Sequence, residues 1–74
     1  MIAVGQRWRN GRNGRVMVIL QVDYRGTGPA WHYEGEAPGD WHYSCVQDFT
    51  TWGTYALIPE GYEERASERR MSTR

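Results

Sequence analysis

The sequence predicts a small all-β domain, and three observations support this. Five short apolar and aromatic runs are separated by clusters of Gly, Asn and Pro, the pattern of short strands joined by turns. No segment before residue 60 has the apolar period of a helix. Trp31-His32-Tyr33 recurs ten positions later as Trp41-His42-Tyr43, and the two copies flank a connection that contains Gly and Pro, as in a long-looped β-hairpin. Five such strands favour a small barrel or a sandwich.

The first two predicted strands, residues 4–9 and 15–24, flank a turn rich in Asn and Gly. Residues 10–14 contain two Asn-Gly pairs, the strongest short-range hairpin signal, because these residues tolerate the positive φ of the turn. One face of the second strand carries Val16, Val18, Leu20, Val22 and Tyr24, and the other carries Met17, Ile19, Gln21 and Asp23. The first face is apolar throughout and the second only at its start, so we predict a central strand whose early part is covered on both sides.

The rest of the chain supplies three more strands and a tail. After a turn at 25–29, the hairpin strands cover residues 30–35 and 40–46, a turn follows at 48–53, and the last strand covers 54–58, which Pro59 ends. We therefore expect one domain over residues 1–59. Residues 60–74 are predicted to be a charged tail, disordered or a short frayed helix, because like charges would lie four residues apart on a helix there.

The register of the aromatic hairpin has two alternatives. If Trp31 lies opposite Tyr43 and Tyr33 opposite Trp41, the four large rings share one face and both histidines share the other. A slip of one residue instead places His42 on the face of Trp31 and Tyr33. We favour the first register because it separates polar from apolar side chains.

Four Trp and five Tyr exceed what a core of this size needs. Large aromatics can simply compensate for a small core, but exposed Trp and Tyr are also the usual anchors of protein interfaces. The predicted core consists of Trp8, Tyr24, Phe49, Tyr55 and Leu57. The residues predicted to bind a protein partner are Trp31, Trp41, Tyr43 and Trp52, of which the last three are predicted to lie on the surface.

The net charge is zero but is unevenly distributed. Residues 1–26 carry five arginines and one acid, residues 27–64 carry seven acids and no base, and residues 65–74 carry four arginines and one acid. The alternative binding site is therefore a basic one for nucleic acid around the Asn-Gly turn, formed by Arg7, Arg9, Arg12 and Arg15. The neutral net charge and the acidic middle of the chain weigh against it.

Other chemistry has little support in the sequence. It contains no nucleophile–base motif, no phosphate-binding loop and no convincing pair of acids, so we expect no enzyme and no cofactor. His32 and His42 would share a face in the favoured register, but two histidines are too few ligands for a metal site, so no metal is expected.

Cys45 is the only cysteine in the sequence. A single cysteine excludes an intrachain disulfide and suggests a reducing compartment. The longest apolar run is residues 16–20, so we predict a cytoplasmic chain with no membrane anchor.

The start Gly5-Gln6-Arg7-Trp8-Arg9, the Gly-rich turn, the run over 16–22 and the end Tyr55-Ala56-Leu57-Ile58-Pro59 together resemble small SH3-like β-barrels. Short bacterial and bacteriophage proteins of uncharacterised function share this layout. The resemblance covers residues 4–59 and implies a five-stranded, strongly bent SH3-like barrel that binds proteins, peptides or nucleic acids. The motifs that carry the resemblance consist of turn and core residues, so the resemblance assigns no functional residue.

Two functions fit these observations. The favoured one is a non-catalytic, protein-binding accessory or regulatory factor, of possible phage origin and then acting in the host cytoplasm. The alternative is a nucleic-acid-associated module that uses the arginine-rich turn and tail. The chain is expected to be a monomer or a homodimer paired through an open sheet edge.

Overall fold

The structure, a computed structural model, describes residues 2–37 and 39–59. Its elements in chain order are β1 (Arg7–Asn10), β2 (Val16–Gln21), β3 (Ala30–Tyr33), β4 (His42–Tyr43), α1 (Val46–Phe49) and β5 (Tyr55–Ile58). The five predicted strands are present and confirm the all-β class, although β4 is much shorter than expected. The predicted charged tail, residues 60–74, lies outside the described residues.

The strands form one antiparallel sheet in the order β4-β3-β2-β1-β5. β2 occupies the middle of this sheet, which confirms its predicted central position. Within the described part of the chain, β4 and β5 each pair with one strand and not with each other, so the sheet is open. The barrel predicted from the SH3-like resemblance is therefore not confirmed.

The core lies against the Met17 and Ile19 face of β2. Met17 and Ile19 are 0% and 1% exposed, whereas Val16 and Val18 on the other face are only half-buried. The core therefore lies on the face that is apolar only at its start, and the early part of the other face is only partly covered. The physical reason is that the large rings lie on the Met17 face: Trp8 is opposite Met17, and Trp31 is opposite Ile19.

Aromatic edge-to-face contacts connect the core to α1. The Phe49 ring lies 5.0 Å from that of Trp8 and 4.7 Å from that of Tyr55, whose ring in turn lies 6.1 Å from that of Trp31. These contacts fix the single turn of α1 over the sheet. This helix was not predicted from the sequence, because four residues are too few to show a helical period.

The predicted core composition is confirmed for three of five residues. Trp8, Phe49 and Tyr55 are buried. Tyr24 is only half-buried, and Leu57 is 44% exposed, so its prediction as a core residue was wrong. Leu57 lies on the edge strand β5, where burial is less complete than in the middle of the sheet.

The β1–β2 turn is attached to β3 through one tyrosine hydroxyl. The Oδ1 atoms of Asn10 and Asn13 accept hydrogen bonds from the backbone two residues on, as in Asx turns. Their Nδ2 atoms both donate to the Tyr33 hydroxyl, at 3.1 and 3.0 Å. Asn10 is buried, so this bond satisfies a polar group that water does not reach freely.

Candidate binding surface at the edge of the sheet

The register of the β3–β4 hairpin decides which aromatic rings reach the surface. Trp31 lies opposite His42 and Ala30 lies opposite Tyr43, so the favoured register was wrong and the one-residue slip is observed. Its physical basis is the His42 ring, which stacks on Trp31 with centroids 4.6 Å apart. His42 Nε2 also lies 3.1 Å from Glu36 Oε1, so the imidazole is accommodated on the core side. Tyr43 consequently points to the opposite face.

Tyr24, Trp41 and Tyr43 form a contiguous group of rings, termed here the edge cluster. The Tyr24 and Tyr43 rings stack with centroids 5.1 Å apart and planes 18° apart. The Trp41 ring meets that of Tyr24 edge-on at 6.4 Å. Trp41 is 42% and Tyr43 59% exposed, so the edge cluster presents a large apolar surface beside the edge strand β4.

The β2–β3 loop holds Tyr24 in place through its backbone. The Tyr24 N–H donates to the Gly28 carbonyl at 2.7 Å, and the Tyr24 carbonyl accepts from the backbone N–H and the hydroxyl of Thr27. Gly28 has φ +137° and lies so close to the Ser44 carbonyl that a side chain would collide with it. The loop therefore packs against the end of β4, and this packing places the Tyr24 ring next to the Tyr43 ring.

Charged residues of both signs adjoin the rings of the edge cluster in the chain. The Arg25 guanidinium carbon lies 5.4 Å from the Tyr24 ring centroid, on a backbone with φ 55°. Asp23 and Asp40 are exposed and directly precede Tyr24 and Trp41 in the chain. These three residues, Asp23, Arg25 and Asp40, are termed the rim of the edge cluster; they comprise two acids and one base.

A polar network supports the hairpin from the core side. Glu36 accepts a hydrogen bond from the Tyr33 N–H at 2.8 Å, and this bond, together with His42, lowers the pKa of the Glu36 carboxyl against an opposing contribution from desolvation. Trp31 Nε1 donates to Ser44 Oγ at 3.0 Å. The short β4 is therefore held by side-chain contacts in addition to its few backbone pairs.

The four residues predicted to bind a protein do not come together as one site. Trp41 and Tyr43 lie in the edge cluster. Trp31 is 5% exposed and belongs to the core, so it is not available as a surface anchor. Trp52 is 64% exposed, but within residues 2–37 and 39–59 it makes no ring contact with the edge cluster. Tyr24 was predicted as a core residue, and not as a surface residue, because it continues the apolar period of β2. The Gly-rich run after Tyr24 was the signal that the chain turns there.

Three of the four arginines of the predicted nucleic-acid site are divided between the two faces of the sheet, and the fourth lies in the β1–β2 turn. Arg7 and Arg9 lie opposite Val18 and Val16, on the face away from the core. Arg7 Nε binds Glu34 at 2.8 Å, and an Arg9 Nη donates to the Gly14 carbonyl at 2.8 Å.

On the other face, the Arg15 guanidinium lies 3.7 Å from the centroid of the Tyr33 ring. Arg12 is exposed in the turn. The four guanidinium groups therefore do not form one continuous basic patch.

The two histidines, which are side chains of a type that can bind a metal, are also separated. His32 lies opposite Val18 and His42 opposite Trp31, so the two imidazoles lie on opposite faces of the sheet. In the part of the chain that the structure describes, no three His, Cys, Asp or Glu side chains are grouped as a metal site would require. Cys45 is half-buried, and its Sγ lies 3.5 Å from Asp48 Oδ2.

The single described helix is far too short to cross a bilayer.

Comparison with known proteins gives no relative: no protein-family model, no curated protein and no solved structure matches the chain. The resemblance to SH3-like barrels and to bacteriophage proteins therefore stays a prediction from the sequence.

Proposed function

We propose that this protein is a non-catalytic binding module that docks a protein partner through the edge cluster. The observation that supports this most directly is the contact of three aromatic rings, two of them substantially exposed, beside an open sheet edge. Exposed Trp and Tyr in contiguous patches are typical anchors of protein interfaces, because they bury a large area at a small cost in side-chain entropy.

The arrangement of the edge cluster favours docking because its rings are ordered before a partner arrives. Tyr24 contacts Tyr43, Trp41 and the guanidinium of Arg25. Side chains already held by such contacts lose less conformational freedom on binding, and more of the buried area then contributes to affinity.

The nucleic-acid alternative is less well supported. Binding along a phosphate backbone requires several cations on one surface. Here Arg7 and Arg9 lie on one face, Arg15 lies on the other, and Arg7 is paired with Glu34. The rim of the edge cluster adds one arginine and two carboxylates, which does not favour a polyanion.

The proposal can be tested with a displayed library of random peptides, selected on the immobilised wild-type protein. An enriched peptide is then synthesised with a fluorophore, and its binding is measured by anisotropy. Trp41→Ala and Tyr43→Ala are each expected to weaken binding at least ten-fold, as is usual for interface anchors.

Leu57→Ala is the matched control, because Leu57 is exposed to almost the same extent as Trp41, 44% against 42%. It lies on β5, four strand spacings or about 19 Å from β4. Unchanged binding by a Trp41→Ala/Tyr43→Ala double variant would overturn the proposal. Labelled DNA and RNA oligonucleotides form a second arm: salt-sensitive binding lost in Arg12→Ala and Arg15→Ala would support the alternative.

A further inference from the structure

β4 is an edge strand with an open side. In the described residues its only neighbour is β3. The exposed side chains of Trp41 and Tyr43 belong to the same short segment. An edge strand presents unpaired backbone groups and can act as a template for another strand.

The backbone of Tyr43 carries the groups that an added strand would use. The Ser44 N–H donates to the Pro29 carbonyl at 3.2 Å, and His42 lies opposite Trp31 in the same register. In an antiparallel ladder, hydrogen-bonded and non-hydrogen-bonded pairs alternate. Since positions 42 and 44 bond toward β3, the N–H and C=O of Tyr43 point away from it, to the open edge.

We propose that the partner of the edge cluster is an extended, basic peptide segment that adds to β4 as a sixth strand. This inference rests on the proposed function and names the mode of binding and the class of ligand. Two backbone hydrogen bonds to Tyr43 align the segment, and an apolar side chain of the segment packs on the Tyr43 ring. Flanking Lys or Arg residues face Asp23 and Asp40.

The charge of the rim selects a basic segment. Asp23 and Asp40 are both exposed, and neither has a side-chain partner among the described residues, whereas the guanidinium of Arg25 lies over the Tyr24 ring. Two exposed carboxylates on the segments that carry the apolar patch attract a cationic peptide and repel an acidic one, and such complementarity governs specificity and association rate.

A second copy of this chain fits the edge less well. Antiparallel pairing of two β4 strands would bring together two copies of the segment that carries the exposed Asp40, and their like charges repel each other. β4 also has only two residues, whereas a stable interface buries about 800 Å² on each partner. The short edge therefore suits a peptide better than a folded copy.

The test compares Tyr43→Ala with Tyr43→Pro, using a library-derived peptide that alternates apolar and basic residues. Both variants remove the ring, but only proline removes the outward N–H. Proline is tolerated in an edge strand where the N–H faces solvent. Circular dichroism is used to check that both variants fold. We expect Tyr43→Pro to bind at least five-fold more weakly than Tyr43→Ala.

A second measurement leaves the protein unchanged. The peptide is N-methylated at one residue at a time, and strand addition predicts that binding is lost at every second position. Equal affinities of the two Tyr43 variants, together with an N-methyl scan lacking this period, would overturn strand addition while leaving the edge cluster as the docking site. If the Trp41→Ala/Tyr43→Ala double variant binds the peptide as tightly as the wild type does, the proposed function itself fails. Concentration-dependent dimerisation without peptide, abolished by Tyr43→Pro, would overturn the peptide in favour of a second copy.

Discussion

Tyr24 and Tyr43 stack face to face, with ring centroids 5.1 Å apart and planes inclined by 18°. Tyr24 belongs to the β2–β3 loop and Tyr43 to the edge strand, so the contact joins two segments that the sheet alone would not hold together. The exposed surface beside β4 depends on this pair, because Tyr24 also positions the Trp41 ring.

Replacing Tyr24 with alanine should loosen the loop without unfolding the sheet. Stacked aromatic pairs contribute about 1 kcal/mol beyond their buried area, so we expect a loss of one to two kcal/mol in the free energy of unfolding, measured by urea denaturation. Trp52→Ala is the control and should change stability by less than about 0.5 kcal/mol, because Trp52 is exposed. Equal losses in the two variants would contradict the structural role of Tyr24.

Trp31→Ala should abolish folding at room temperature. Trp31 is 5% exposed and contacts the rings of Tyr33, His42 and Tyr55. Removing a buried Trp costs about 3–5 kcal/mol, which is comparable with the whole stability of so small a domain. Far-ultraviolet circular dichroism and amide chemical-shift dispersion measure the outcome, with Trp41→Ala as the folded control. A folded Trp31→Ala variant of wild-type stability would show that Trp31 is not a core residue.

Removing the Tyr33 hydroxyl should destabilise the β1–β2 turn. In Tyr33→Phe, the Nδ2 groups of Asn10 and Asn13 lose their common acceptor, and Asn10 is buried. An unsatisfied buried amide costs about 1–3 kcal/mol. The matched control is Tyr43→Phe, which removes a solvent-exposed hydroxyl and should leave the midpoint of thermal unfolding unchanged. Identical midpoints for both variants would argue against the hydrogen bonds to Tyr33.

Stability should fall in acid partly through Glu36. The hydrogen bond from the Tyr33 N–H and the proximity of His42 lower the pKa of Glu36 from its ordinary value of 4.5. A carboxyl with a lowered pKa in the folded state contributes its full stability above the pKa of the unfolded chain. That contribution is lost as the pH falls through the lower, folded-state pKa.

Urea unfolding at neutral pH and at successive steps below the unfolded-state pKa measures this dependence. Glu36→Gln should flatten the decline, whereas Asp40→Asn, which alters an exposed carboxylate, should not. A decline of the same steepness in Glu36→Gln and in the wild type would disprove the assignment.

Gly28→Ala should separate the β2–β3 loop from β4. Gly28 has φ +137°, where an L-residue is strained, and an added Cβ would collide with the Ser44 carbonyl. We expect a loss of at least 2 kcal/mol in the free energy of unfolding, together with altered chemical shifts at Tyr43. Gly26→Ala is the control: its φ of +78° is also strained, but its Cβ would meet no atom, so it should cost only about 1 kcal/mol. Similar losses for both glycines would show that the contact with Ser44 is unimportant.

The five strands could be predicted from the sequence because turn residues mark their ends and aromatic or β-branched residues fill them. The exposure of Trp41, Tyr43 and Trp52 was also predicted correctly. These features depend on local composition, which the sequence displays directly.

The hairpin register and the side of the core could not be predicted, because both depend on contacts between distant segments. Period-two alternation identifies two faces but not which one is buried. In the case of His42, stacking on Trp31 and the hydrogen bond to Glu36 outweigh the tendency of an imidazole to face solvent. The aromatic spacing alone carries no information about these partners.

β1 lies between β2 and β5, with Arg7 opposite Val18 on one side and Ile58 on the other. During synthesis on the ribosome, β2 emerges soon after β1 and can pair with it, whereas β5 emerges after the other four described strands. Tyr55, a buried core ring, arrives with β5. Until then, one side of β1 has no strand partner and the Trp8 side of the core is incomplete. We therefore expect ribosome-bound chains shortened before residue 54 to remain protease-sensitive, and stable structure to form only after β5 has left the exit tunnel.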